Sequence, residues 1–464
     1  MEKKDSRWRS DMKHFFVRDR NFYKTMVRLS LPAAFQTLLS MLVLMADNVM
    51  VSRFDPSALA PVSQANSVST FILAALNGLG SGAVVLVSQY WGKKDINAIK
   101  RVFSVVCTLG VVLPIIFISI VQLFPHWVVS LVLDPALSHL TPVAVSYLRI
   151  AVLAFLPFGL TSGLVGGLKG VEVVKVTLYA AVISLVSNVC LNAVLIFGLG
   201  PIPALGVKGA AIATVLARVI EFCVVWVYCF HKQKVLEIRP RDLLRHETWA
   251  WKDYLRFGSP VSLTDAQWAL VGMMKMAIIG HLGATMMSAM NMTDTMMNLG
   301  TMFTFALAGG ACVMVGKAVG EQDMEKVRAY SRTIQCMFAV IGVVMALSVI
   351  AVRRVFIGLY GQPEDVENLA GLMIFIGAIT MMGTSYHASC FTGINRGAGD
   401  NRFVMMVDLI CGWLVVLPLT YLAAFVSKWP LPIVFLCTRI DQCFKWIIAF
   451  FRLRGNKWIK KVTR

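Results

Sequence analysis

The sequence predicts an all-α polytopic membrane protein of about twelve transmembrane helices, in two six-helix bundles related by an internal parallel repeat. Three observations predict it. Hydrophobic residues make up 57% of the 464 residues and charged residues only 15%, with a mean hydropathy of +0.70. Apolar runs of roughly 20 residues, long enough to cross a bilayer as helices, recur along the whole chain. The chain also contains itself twice, because a shift of about 228 residues aligns long stretches without a gap. In that register Pro32 falls on Pro260, Asn66 on Asp294, Gly82 on Gly310, Gly92 on Gly320, Asp95 on Asp323 and Lys100 on Arg328.

Taken in order, residues 1–24 form a basic cytoplasmic segment. Within it 11–24, "DMKHFFVRDRNFYK", is expected either as a short helix on the inner headgroup layer or as a disordered tail. The apolar run that follows continues past any cleavage site, so no signal peptide is expected. Six spans are placed near 25–50, 61–90, 102–124, 143–166, 176–198 and 207–230, giving a first bundle over 25–230. The longest hydrophilic stretch, 231–254, is basic and contains Pro240, as a cytoplasmic linker should. Six more spans near 255–280, 288–315, 333–351, 367–391, 404–426 and 433–451 give a second bundle over 255–451. A basic tail, 452–464, closes the chain. An even number of spans per half makes the repeats parallel rather than inverted.

The formal net charge of +19 follows topology rather than a nucleic-acid surface. With a cytoplasmic N-terminus, about 34 of the Lys and Arg residues fall in cytoplasmic tails and loops and about five on the far side. Both termini are then cytoplasmic, and the positive charge meets anionic lipid headgroups. Arg353 and Arg354 break the rule, with Glu364, Asp365 and Glu367 nearby to offset them. The ten cysteines are scattered through apolar runs without a C-x-x-C and read as buried small residues. The seven histidines show no metal-ligand spacing, and no P-loop is present. No cofactor and no resident metal are expected.

Charges inside apolar runs carry the functional signal, because a charge at membrane depth costs several kcal/mol unless paired or hydrated. Asp47 lies in "LLSMLVLMADNVMV", and at the same repeat position Lys275 lies in "WALVGMMKMAIIGH". A carboxylate surrounded by hydrocarbon favours its neutral form, so it can load and release a proton, or bind sodium when ionised. Pro32, earlier in the same run as Asp47, removes a backbone hydrogen bond and makes that helix bendable.

Several stretches resemble the MATE (multidrug and toxic compound extrusion) family. They are "LSLPAAFQTLLSMLVLMADNVMVSRFDPSALAPVSQAN", the paired loops "VSQYWGKKD" and "VGKAVGEQD", "SNVCLNAVLIFGLGPIPALGVKGAAIATVLAR", and "GINRGAGDNRFVMM". The end, "RIDQCFKWIIAFFRLRGNKWIKKVT", resembles the bacterial DinF-type branch. The resemblance covers nearly the whole chain. It implies two six-helix bundles forming a V, and secondary active efflux of amphipathic organic cations in exchange for protons or sodium ions. It also implies a monomer in the bacterial inner membrane, with membrane lipids and small cationic substrates as its partners and no nucleic acid.

The resemblance makes Asp47 the first ion-coupling candidate, with Asn188 and Asn192 of the fifth span and Thr214 of the sixth. Family members often carry Asp where Asn192 stands, and an amide does not titrate. Helix–helix hydrogen bonding is the alternative role for both Asn. Arg218 and Glu221, spaced i, i+3, can pair on one face, and Arg439 precedes Asp441 and Gln442 in the last span. Asp265, Lys275, Asp294 and Asp408 are the other intramembrane charges, with Asp294 the expected partner of Lys275. Some members carry an acid where Trp268 stands. Gln36, Asn66, Trp268, Met292 and Met296 are expected to line the substrate cavity. About ten of the 25 methionines fall between Met273 and Met302, where they suit either an adaptable binding wall or lipid-facing filler. A flippase of lipid-linked oligosaccharides, from the related superfamily, is the alternative transporter. A polytopic membrane enzyme would need a nucleophile, base or metal constellation that the chain does not display.

Overall fold

The computed structural model describes residues 16–55, 59–130, 141–199, 201, 203–233, 235–455 and 457–463. The expectation for 11–24 therefore lies largely outside the described residues. Helices dominate, and no strand occurs among the described residues. In chain order the main helices are α1 (Arg20–Phe54), α2 (Leu59–Gly92), α3 (Ile96–Leu123), α4 (Thr141–Ala151), α5 (Phe155–Gly170), α6 (Lys175–Phe197) and α7 (Val207–Val227). They continue with α8 (Ser259–Gly280), α9 (Ala284–Gly320), α10 (Met324–Gly358), α11 (Glu364–Ala388), α12 (Asn401–Leu409), α13 (Leu417–Tyr421) and α14 (Ile440–Arg454). α4 runs into α5 through a single 3₁₀ turn, Val152–Ala154.

Ten described helices are long and apolar enough to cross a membrane. The remaining two expected spans fall on α8 and on the short helix Leu431–Cys437 followed by α14. These too carry intramembrane charges: Asp265 and Lys275 in α8, then Asp441 and Lys445 in α14.

The repeat extends to backbone detail. Asp95 caps α3 by accepting the Ala98 N–H at 3.0 Å, and Asp323 caps α10 by accepting the Lys326 N–H at 3.0 Å. Just before these caps, Lys94 and Gln322 take positive φ of 61° and 63°, in turns that follow Gly92 and Gly320. Each cap satisfies an otherwise orphaned helix N–H and contributes about 1 kcal/mol.

By compactness the chain forms two units. One contains residues 35–87 and 95–269; the other contains 1–34, 88–94 and 270–464. α1 therefore changes unit two residues after Pro32, and α8 changes unit between Ala269 and Leu270.

In the first unit α3 packs on α5, and α6 on α7. Gly110 of α3 and Gly159 of α5 meet face to face. A Cβ on Gly110 would come 2.7 Å from the Gly159 carbonyl oxygen, and one on Gly159 would come 2.6 Å from that of Gly110. Small residues that let backbones approach are how membrane helices associate without a hydrophobic driving force. The polar segment before α8 docks on α3. The Ser104 hydroxyl donates to the Leu243 carbonyl at 2.7 Å, the Lys100 amine donates to that of Glu237 at 2.8 Å, and Arg101 pairs with Glu247 at 2.8 Å.

In the second unit α11 packs against α9, α10 and α14. Its core is rich in methionine: Met286, Met290, Met292, Met296, Met297, Met373 and Met381 are all buried in one cluster. The start of α1 belongs here, burying Phe22, Met26, Leu29 and Ser30. This spacing of three and four makes one helical face.

Candidate functional site

In the unit holding most of α1, Asp47 is half-buried. The Asn192 side chain, fully buried on α6, donates one N–H to the Asp47 carboxylate and the other to Asn188 Oδ1 at 3.1 Å. The i, i+4 spacing of the two asparagines stacks them on one face of α6, directed at α1. The Asn192 Oδ1 atom and the Asn188 amide nitrogen remain buried without a partner. Unsatisfied buried polar atoms are costly, and they mark a place where a further ligand, water or proton is accommodated.

Around this cluster, Arg218 pairs with Glu221 at 2.7 Å and lies over the Phe158 ring, 5.0 Å from its centroid. The Ser184 hydroxyl donates to the same Glu221 oxygen at 3.1 Å. Glu221 thus holds Arg218 in place, and the guanidinium remains close enough to act electrostatically on Asp47. The Thr214 hydroxyl instead donates to the Ala210 carbonyl of its own helix at 3.1 Å. Two residues not singled out in the sequence complete the picture. Tyr147 of α4 donates to Asn66 Oδ1 at 2.9 Å and lies near enough to sense the Asp47 charge. Lys169, at the end of α5, donates to Gln36 Oε1 at 3.1 Å. No spacing rule on one helix exposes either, because both act across helices.

The second unit gathers more charge. Lys445 of α14 is 3% exposed and pairs with Asp408 at 2.9 Å and Asp441 at 2.8 Å. Gln442 donates to Asp441 at 2.8 Å. Its carbonyl oxygen accepts from Thr384 at 2.9 Å and faces His387 Nε2 at 2.6 Å. Arg439 donates to the Thr380 hydroxyl at 2.9 Å. Asp441, Arg439, Asp294 and Lys445 are close enough to act electrostatically on Lys275. Among the described residues no acid forms an ion pair with Lys275 within 4.0 Å. The pairing expected between Lys275 and Asp294 is therefore long-range only, and the other nearby acids, Asp408 and Asp441, are taken up by Lys445. Lys445 sits i, i+4 from Asp441, and that spacing was the available signal for it.

The cavity candidates divide. Asn66 and Gln36 engage Tyr147 and Lys169, and the Trp268 side chain is 58% exposed. Met292 and Met296 are 2% and 7% exposed inside the methionine core. Their flexible side chains fill space between helices rather than forming an open wall. Asp265 is half-buried on the part of α8 that belongs with the first unit. No group of three or more His, Cys, Asp or Glu arranged to hold a metal occurs among the described residues.

A repeated, polytopic helical protein with isolated carboxylates and amides inside its spans has the make-up of a secondary transporter. Comparison with known proteins narrows this. The profile of the MatE family matches twice, at residues 32–194 and 260–422, so its two copies begin on the repeat-related Pro32 and Pro260. The chain is 24% identical to the "Uncharacterized transporter YisQ" of Bacillus subtilis, an alignment covering 93% of this chain and 94% of that protein. It is 23% identical to the "Probable multidrug resistance protein NorM" of Thermotoga maritima, over 95% and 94% of the two chains. Among solved structures, a crystal structure of MATE in complex with MaL6 superposes with a TM-score of 0.83 at 20% identity, over 93% of this chain and 95% of that one. The chain belongs to the MatE family. It is a multi-pass membrane transporter, not an enzyme.

Proposed function

We propose that this transporter exports amphipathic small molecules bearing a cationic group, across a bacterial inner membrane, in exchange for protons that load on Asp47. The observation that carries the reading is the Asp47–Asn192–Asn188 cluster. One carboxylate, in a helix that contains Pro32, is held by the Asn192 amide with Asn188 beside it and flanked by buried polar atoms without partners. A proton needs one such carboxylate. A dehydrated sodium ion asks for several oxygen ligands. Arg218 and Tyr147 lie close enough to respond to the charge on Asp47.

In this reading Asp47 accepts a proton from the outer side and the change of charge alters its bond to Asn192. α1 then bends at Pro32 and substrate leaves. Coupling follows because proton and substrate bias one conformational equilibrium in opposite senses. Both termini are cytoplasmic, where their basic residues meet anionic headgroups, and the monomer suffices. The test is efflux of a fluorescent cation from proteoliposomes, first under an imposed proton gradient and then under a sodium gradient with the proton gradient collapsed by an ionophore. Efflux driven by protons alone is the expected result. Sustained uphill efflux driven by sodium alone would overturn the choice of ion.

A further inference from the structure

Between Met286 and Asn298, α9 buries its methionines and exposes most of its polar residues. Met286, Met290, Met292, Met296 and Met297 are buried, whereas Asn291, Thr295 and Asn298 are exposed, with Asp294 half-buried among them. These four polar residues recur at spacings of one, three and four, so they form one stripe along the helix. A membrane span cannot present amides and a carboxylate to hydrocarbon without a large penalty. The stripe must therefore face water inside the bilayer, as the wall of a hydrated cavity.

Two charges at this stripe lack a direct partner. Asp294 and Lys275 make no ion pair within 4.0 Å among the described residues, while Lys445 is taken by Asp408 and Asp441 and Arg439 is bonded to Thr380. Lys275 and Asp294 belong to consecutive helices joined by a tight turn at Gly283, whose φ is 102°. Lys275 lies nearer the turn than Asp294. At 1.5 Å per residue the two are staggered by roughly 7–8 Å along the hairpin. No ion pair within 4.0 Å closes that gap, and it suits a ligand carrying both signs of charge.

We propose that Lys275 and Asp294, flanked by Asn291 and Asn298, form a subsite for the polar end of zwitterionic amphiphiles. Asp294 receives the ammonium and Lys275 the anionic group. The proposal rests on the efflux reading and sharpens its substrate class: a purely cationic molecule meets the repelling amine of Lys275, and a purely anionic one meets Asp294. The apolar tail remains free to lie along the exposed Met274 side chain of α8.

The experiment measures binding without any gradient, on the full chain in lipid nanodiscs. Three probes share a dansyl fluorophore and alkyl linker and end in a carboxybetaine, a trimethylammonium or a carboxylate. The betaine is expected to bind tightest, by roughly tenfold. Lys275→Met should make the trimethylammonium probe the tightest, Asp294→Asn should favour the carboxylate probe, and Lys275→Arg should keep the wild-type order. Asn298→Leu should weaken the betaine severalfold, and it remains informative if a charge variant fails to fold. The proposal is overturned if the trimethylammonium or carboxylate probe binds wild type at least as tightly as the betaine. Lys275→Met or Asn298→Leu leaving both order and affinity unchanged would overturn it equally. Asp47→Asn is expected to retain the wild-type binding order while losing transport, so failure of the coupling assignment and failure of this subsite give different results.

Discussion

Asp47 and Lys275 occupy the same position of the repeat but stand in unlike surroundings. Asp47 is one acid among amides: its described partner is Asn192, and the nearest cation, Arg218, is already committed to Glu221. Lys275 lies in a balanced crowd, with Lys445 and Arg439 on one side of the ledger and Asp294, Asp408 and Asp441 on the other. A site with a single titratable centre changes its net charge when one proton arrives. The ion pairs of Lys445 with Asp408 and Asp441 resist such a change, because each of these charges is already stabilised by its neighbours. Duplication supplied two similar scaffolds, and substitution made one responsive and the other fixed.

The largest effect expected from this contrast is on transport. Asp47→Asn keeps the size and hydrogen-bonding shape of the side chain but removes its titration. Gradient-driven efflux in proteoliposomes should fall by about a hundredfold or more, while probe binding persists. Wild-type rates in this variant would erase the distinction between the two halves.

In the other unit the effect should fall on stability. Lys445→Met strands Asp408 and Asp441 in a nearly solvent-free place. Breaking a buried ion pair by removing one partner costs about 3–5 kcal/mol. The melting temperature in detergent should drop sharply, and by far more than in Asp47→Asn. Equal melting temperatures for the two variants would mean that the network is not the fixed half.

A third variant probes the support of the responsive site. Asn192→Leu removes the amide that donates to both Asp47 and Asn188. A hydrogen bond to a charged group contributes about 1.5–3 kcal/mol, so proton-driven efflux should fall by about tenfold or more without abolishing expression. An unchanged dependence of efflux on external pH would argue that Asn192 only joins α6 to α1.

Much of this was legible in the chain because it is written in local patterns. The repeat register paired Asp95 with Asp323, and both cap helices with the same geometry. Apolar runs marked the ten helices of clear membrane character. Asp47, Asn188 and Asn192 stood out as polar residues in apolar runs, and Arg218 with Glu221 by their i, i+3 spacing. Less legible was anything that depends on which helix lies opposite. Tyr147 and Lys169 find their partners on other helices, His387 meets Gln442 across α11 and α14, and Lys445 gathers acids from two helices. The methionines show the same limit from the other side. Composition signals an adaptable apolar surface, but only burial distinguishes a packed core from a wall, and here Met292 and Met296 are core.

The smallest effect belongs to a charge pair of the same chemistry placed outside the spans. Asp242 accepts the Arg239 N–H at 3.0 Å and lies 3.6 Å from the Lys100 amine. Slight burial opposes its ionisation, but the Arg239 N–H and the charges of Lys100, Arg245 and Arg101 outweigh it and hold the carboxyl below its usual range. A carboxyl depressed in the folded state stabilises the protein above its unfolded-state value, about 3.9. That contribution is lost as the pH falls through the lower folded-state value. A solvent-accessible pair of this kind contributes only about 0–1 kcal/mol. Asp242→Asn should therefore lower the melting temperature slightly at pH 7, and the gap from wild type should close as the medium is acidified from about pH 5 to 3. High salt should shrink it too, since exposed pairs are screened over about 10 Å at 0.1 M. The Lys445→Met deficit should survive the same salt. If both deficits vanished together in salt, Lys445 would be as solvated as Asp242, and the fixed character assigned to the second unit would have no electrostatic basis.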